Sequence, residues 1–151
     1  MGVRVEDNDL GYKKILESFK KLDGTNVDIG FYGDGNDPET NMAERAAVNE
    51  YGTNHIPSRP FNRQAFDNNL PNLKRYIGGL YGRLIHRRTT PKRMFVQLGE
   101  WYKGKLQEEI TSGNFVPNSP NTVAQKGSSR PLIDEGEMRR DVKVKISKGR
   151  S

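Results

Sequence analysis

Cysteine is absent from the 151 residues, which excludes disulfides, zinc–thiolate sites and thiol nucleophiles. Histidine occurs only as His55 and His86, too few for a multi-histidine metal site. No apolar run approaches the roughly 18 residues that a membrane helix needs. The opening MGVRVEDNDL lacks the apolar core of a secretory signal. Hydrophobic residues make up only 32% of the chain and the mean hydropathy is −0.87. That is low for an independent globular domain; it fits long polar loops, or order completed by partners. The length suits a single domain over residues 1–151, able to bury about 68–70% of the surface its unfolded form exposes.

What the chain does have is uneven charge. The formal net charge is +6. Residues 1–72 carry 8 basic and 12 acidic groups, residues 73–106 carry 9 and 1, and residues 107–151 carry 8 and 6. The middle third therefore holds the positive excess, led by Arg83, Arg87, Arg88, Lys92 and Arg93. Such a cluster serves as a solvated helix face or partner interface, or it attracts phosphate by counterion release.

Hydrophobic periodicity predicts the elements. Residues 9–22 read as an amphipathic helix with Ile15, Leu16, Phe19 and Leu22 on one face and Asp9 as a cap. Residues 25–32 alternate through Val27, Ile29 and Phe31 as a half-buried strand. A second helix covers 39–51, with Ala43, Ala46 and Ala47 permitting close packing. The pattern turns helical again at Phe61–Phe66. Leu70, Leu73, Ile77, Leu80 and Leu84 form a further helical stripe, with Pro71 expected in a first turn or at a kink. Gly78, Gly79 and Gly82 suggest close approach of another backbone. Thr90-Pro91 reads as N-cap and first position of a helix over 91–112, along which Met94, Phe95, Leu98, Trp101, Tyr102, Leu106 and Ile110 form an apolar stripe. Residues 113–131, with three prolines, read as an extended loop. One helical turn is expected within 132–140, capped by Asp134. Val142, Val144 and Ile146 alternate with lysines as a closing strand, and 147–151 reads as a flexible tail. The sum is an α+β class: a small, mostly antiparallel sheet, from about residues 25–32 and 140–147, packed against several helices.

Candidate chemistry is sparse. Asp34, Asp37 and Glu39 share a glycine-rich loop, but the twelve-residue calcium pattern is not met. Gly33-Asp34-Gly35 continues neither as G-x-G-x-x-G nor as a phosphate loop. His55 reads as an exposed loop residue, and Ser58, Ser119, Ser128 and Ser129 lack a nucleophile-elbow context. Glu108 and Glu109 are adjacent on a helix and face apart. Trp101 and Tyr102 suit core or interface packing, or base stacking. No catalytic set, cofactor or metal is expected, and the composition favours a structural or binding protein.

Two segments carry more than periodicity. The run AERAAVNEYGTNHIPSRPF over residues 43–61, continued by Ala65-Phe66, resembles the signature of tail-completion (neck) proteins of long-tailed bacteriophages, and is similar to virion-morphogenesis proteins of Mu-like phages. Pro117–Thr122, Lys126-Gly127 and PLIDEGEM over 131–138 resemble a second segment of that family, with Glu135 where threonine is usual. The resemblance covers most of the chain. It implies an α+β virion subunit, assembled in the cytoplasm of the bacterial host. Such a subunit forms a ring, expected as a hexamer, between the head connector or adaptor and the tail tube. A tail terminator capping the tube is the neighbouring role.

On this reading Glu50, Tyr51, Gly52, Ile56, Pro57, Arg59, Pro60 and Phe61 form a docking loop. The prolines limit the entropy lost on ordering. Arg59 offers its guanidinium to a carboxylate on a neighbouring subunit, and Phe61 anchors the loop in apolar surface. The 113–131 loop is expected to reach an adjacent subunit. Arg83, Arg87, Arg88, Lys92 and Arg93 are expected to meet DNA in transit, the ring lumen or a partner. A basic nucleic-acid-binding protein is the competing class.

Overall fold

The structure is a computed structural model and describes residues 9, 11–33, 41–120, 123–124, 132 and 136–148. Asp9 starts the first helix, its carboxylate accepting from the Lys13 N–H at 3.3 and 3.4 Å. This helix, α1, runs Tyr12–Lys20. Gly24, at φ 66°, turns the chain into strand β1, Thr25–Gly30. Asn41 caps α2, Met42–Tyr51, its side-chain oxygen accepting from Ala43 N and Glu44 N at 3.2 and 3.4 Å. Helix α3 spans Phe61–Ile85 and α4 spans Pro91–Ser112. A single turn, α5 (Glu137–Arg140), leads to β2, Lys143–Lys148. The fold is α+β: among the described residues, helices α1–α5 and a two-stranded antiparallel sheet.

The strand register pairs Val27 with Ile146 and Ile29 with Val144. Alternation then sends these four side chains to one face, the face that lies on α4. Helix α4 is the hub: it packs against α3, α5 and both strands. The main core gathers Phe61, Ala65, Leu106, Ile110, Met138 and Val142, among others. A smaller cluster of Leu80, Leu84 and Met94 joins α3 to α4 further along the hairpin.

Four expectations need correction. First, Pro71 does not lie in a first turn: α3 runs through it for 25 residues, about 37 Å at 1.5 Å per residue. The proline sits exposed, so the carbonyl it deprives of a partner is on the solvent side.

Second, Gly78, Gly79 and Gly82 do not admit another backbone: a Cβ at any of them would meet nothing within 4 Å. The close approach is at Gly99, where a Cβ would overlap Val144 Cγ1 and come within 3.2 Å of Val27 Cγ1. There the sheet lies directly on the helix backbone.

Third, the closing strand begins at Lys143. Asp141 N still donates to Glu137 O at 2.9 Å, which finishes α5, and Val142 is buried in the core.

Fourth, the described part of the 113–131 loop folds back on its own chain. Phe115 packs against the main core, and a Cβ on Gly113 would overlap the Phe115 ring. Asp134, the proposed cap, and residues 149–151 of the tail lie outside the described residues; Ser147 and Lys148 belong to β2.

Candidate functional site

The loop between α2 and α3 is built around two buried ionic side chains. Arg59 and Glu50 are each only 6% exposed. Glu50 is the last buried residue of α2. Its carboxylate accepts from Asn62 N at 2.8 Å, Arg63 N at 3.3 Å and Arg63 Nε at 3.0 Å. It thereby satisfies the free N–H groups at the start of α3, where the helix dipole also favours a negative charge. Pro60, the residue before the helix, has no side-chain acceptor of its own. The Glu50 carbonyl accepts from Ser58 Oγ at 2.8 Å and Arg63 Nη2 at 3.2 Å.

Arg59 directs each guanidinium nitrogen to a different acceptor. Nε donates to the Val116 carbonyl at 2.9 Å, Nη1 to Asn49 Oδ1 at 2.9 Å and Nη2 to Asn118 Oδ1 at 3.1 Å. Burial pushes its pKa below the ordinary arginine value. This overturns the expectation that Arg59 faces a neighbouring subunit's carboxylate: all three nitrogens are engaged within the chain. Arg59 is a positioning residue that ties α2 and the signature loop to residues 116–118. Phe61 anchors the same junction, 2% exposed and edge-on to Phe31 at 5.9 Å, as the sequence indicates.

What this clamp presents is the turn at 53–57. Gly52 adopts φ 78°, and a Cβ there would stand 2.8 Å from Ser58 N, so glycine is required. Thr53 N donates to Ile56 O at 2.8 Å, while Thr53 Oγ1 accepts from His55 N and Ile56 N at 3.2 and 3.1 Å. The turn is thus closed by its own hydrogen bonds. Tyr51 (73% exposed), Ile56 (38%) and Pro57 stand outward from it, with the Arg63 guanidinium 5.7 Å from the centroid of the Tyr51 ring.

A second feature lies at the tip of the α3–α4 hairpin. Arg83, Arg87, Arg88, Lys92 and Arg93 are all exposed, with no ion-pair partner among the described residues. Arg88 N donates to Arg83 O at 2.8 Å and Arg87 N to Leu84 O at 2.9 Å, the paired bonds that close a helix through a left-handed residue. That residue is Arg87, at φ 57°, where glycine is the usual choice.

The remaining candidates do not converge. His55 is exposed on the turn, and Ser58 is a structural donor. Glu108 pairs with Lys105 at 2.7 Å, while Glu109 accepts from Asn68 at 3.4 Å. Asp34, Asp37, Glu39, Ser128 and Ser129 lie outside the described residues, as does much of the second motif. Of that motif, Leu132 and Met138 are buried core residues. Among the described residues no group of three His, Asp or Glu side chains is placed to hold a metal ion, and no helix is long and apolar enough to cross a membrane.

Sequence reasoning did not single out Asn49, Ser58, Arg63 or Asn118 as parts of the clamp. Asn49 and Ser58 lie inside the first signature run and Asn118 inside the second segment; Arg63 carries no local mark. No protein family, no curated protein and no solved structure matches the chain.

Proposed function

We propose that the protein is a structural subunit of a bacteriophage neck or upper tail. Copies assemble into a ring, a hexamer on this reading, that completes the tail and joins it to the head connector; the finished location is the virion. The observation that supports this most is the rigidity of the signature loop. A buried Arg59–Glu50 clamp holds a self-closed turn whose outer surface is Tyr51, Ile56 and Pro57. A turn already closed by its own hydrogen bonds, with apolar groups outward, loses little entropy on docking. The low apolar content, 32%, is consistent with surface completed by neighbouring subunits.

The direct experiment is electron microscopy of lysates from a parent phage with this gene disrupted. Filled heads lying apart from finished tails are expected. Joined, intact virions would overturn the proposal, and overlong or ragged tails would assign tail termination instead. Complementation with Ile56→Asp separates docking from folding. The variant changes only an exposed tip, so stability should stay within about 0.5 kcal/mol while the yield of joined particles falls.

A further inference from the structure

Two features of the α3–α4 hairpin remain unused by this reading: the bare glycines of α3 and the aromatic residue at 101. Gly79 and Trp101 meet in one groove. Asn72, Arg75, Tyr76, Gly79 and Arg83 form a continuous stripe along α3, and Trp101 and Lys105 face them from α4, around a groove of about 650 Å³.

Trp101 is only half-buried. Its ring stacks on Tyr76 with centroids 5.2 Å apart and planes 17° from parallel. Tyr76 is itself held by its hydroxyl, which donates to the Gln97 carbonyl at 3.5 Å. The floor is therefore a fixed aromatic pair. Because Gly79 leaves open space where a side chain would stand, a ligand can come close to the α3 backbone. Every ionisable group of opposite or like sign that lines the groove, Tyr76 apart, is basic. Arg75 and Arg83 have no ion-pair partner among the described residues and are separated by eight residues, about 12 Å of helix rise. Lys105 is engaged by Glu108 at 2.7 Å, which marks the far end. At the other end Arg83 lies in the last turn of α3, and Arg87, Arg88, Lys92 and Arg93 follow it in the chain at the hairpin tip.

We propose that this groove binds a single nucleic-acid strand, with phosphates on Arg75 and Arg83, a base against the Trp101–Tyr76 pair, and the strand continuing over the basic tip. Unpaired arginines beside an aromatic platform are the combination that single-strand binding uses. A protein partner would need a matching acidic ridge. The inference stands apart from the neck assignment and holds or fails without it.

Trp101 is the only tryptophan in the chain, so its fluorescence reports on the groove itself. The test titrates the full chain with a labelled oligothymidylate of about 16 nucleotides, reading label anisotropy and Trp101 emission together. Binding with quenching is expected, with log K falling linearly against log salt at a slope of about −0.7 per phosphate contacted. Arg75→Glu with Arg83→Glu, both exposed positions, should weaken binding at least about ten-fold at low salt while circular dichroism stays unchanged. Absence of binding, binding without quenching, or binding indifferent to the double substitution would overturn the proposal. So would a duplex that binds as tightly without quenching, or concentration-dependent self-association that the double substitution abolishes while the oligonucleotide does not bind; the latter would make this face a contact between copies.

Discussion

Arg59 Nε lies 2.9 Å from the carbonyl oxygen of Val116, joining positions 57 residues apart in the chain. With Asn49 and Asn118 completing the set, three acceptors depend on one buried cation. Removing it deletes these three hydrogen bonds and opens space at the α2–α3 junction. Arg59→Ala should therefore cost about 3 kcal/mol, seen as a lower urea midpoint at unchanged slope. Arg59→Lys should recover only part of this, since an ammonium cannot reproduce the planar fork. Arg59→Glu, which would place a carboxylate among three acceptors, should damage the fold itself rather than act only on assembly. A wild-type midpoint for Arg59→Ala would show that the clamp does not hold the loop.

The glycines of the hairpin make opposite predictions. Gly99→Ala drives a methyl into Val144 and Val27, beneath the sheet; overpacking of this kind costs about 1–3 kcal/mol. Gly78→Ala and Gly82→Ala add a methyl to open space on a helix and should each stabilise by up to about 1 kcal/mol. Thermal melts of the three variants check both signs at once. Gly99→Ala as stable as wild type would mean that the sheet can lift from α4 without penalty.

That contrast shows what was legible in the chain. Helix α4 was fully readable, because Thr90-Pro91 and an apolar stripe are local signals, and its limits are 91 and 112 in both readings. The strands were readable from alternation, and their antiparallel pairing follows in the structure. Pro71 misled because local propensity disfavours a mid-helix proline, whereas the Phe61, Ala65, Leu80 and Leu84 contacts on either side hold the helix together. Gly79 and Gly99 look alike in sequence; only the placement of β2 distinguishes them. For the candidate site, the loop was found but the role of Arg59 was not. Its partners lie across 57 and 59 residues, and no periodicity records such a contact.

Alkaline pH should expose the junction in another way. Tyr102 donates its hydroxyl to the Asn62 carbonyl at 3.4 Å, and its pKa is raised above the usual tyrosine value, first by burial and then by Glu50 and Asp67. The folded chain thus keeps this proton to higher pH than the unfolded chain does. The contribution is complete below the unfolded value of 10.0 and is lost as pH rises through the folded pKa. Tyr32 is shifted the same way by burial and Asp28. Urea stability measured from about pH 9 to about pH 11 should fall, and Tyr102→Phe should flatten that fall. Equal pH slopes for variant and wild type would remove Tyr102 from the account.

Arg87 tests whether the hairpin tip is arranged for folding or for charge. At φ 57° it occupies the left-handed position that closes α3, where a side chain costs about 1 kcal/mol against glycine. Arg87→Gly relieves that strain, although the added freedom of the unfolded chain offsets part of the gain. A net stabilisation of about 0.5 kcal/mol is expected, together with weaker oligonucleotide binding. Arg87→Ala keeps the backbone strain and loses only the guanidinium, so its stability should match wild type while its binding falls as far as that of Arg87→Gly. Matching losses in the two variants assign the arginine to anion contact. If Arg87→Gly binds as wild type does, the strained turn serves the hairpin alone, and the strand leaves the groove before it reaches the tip.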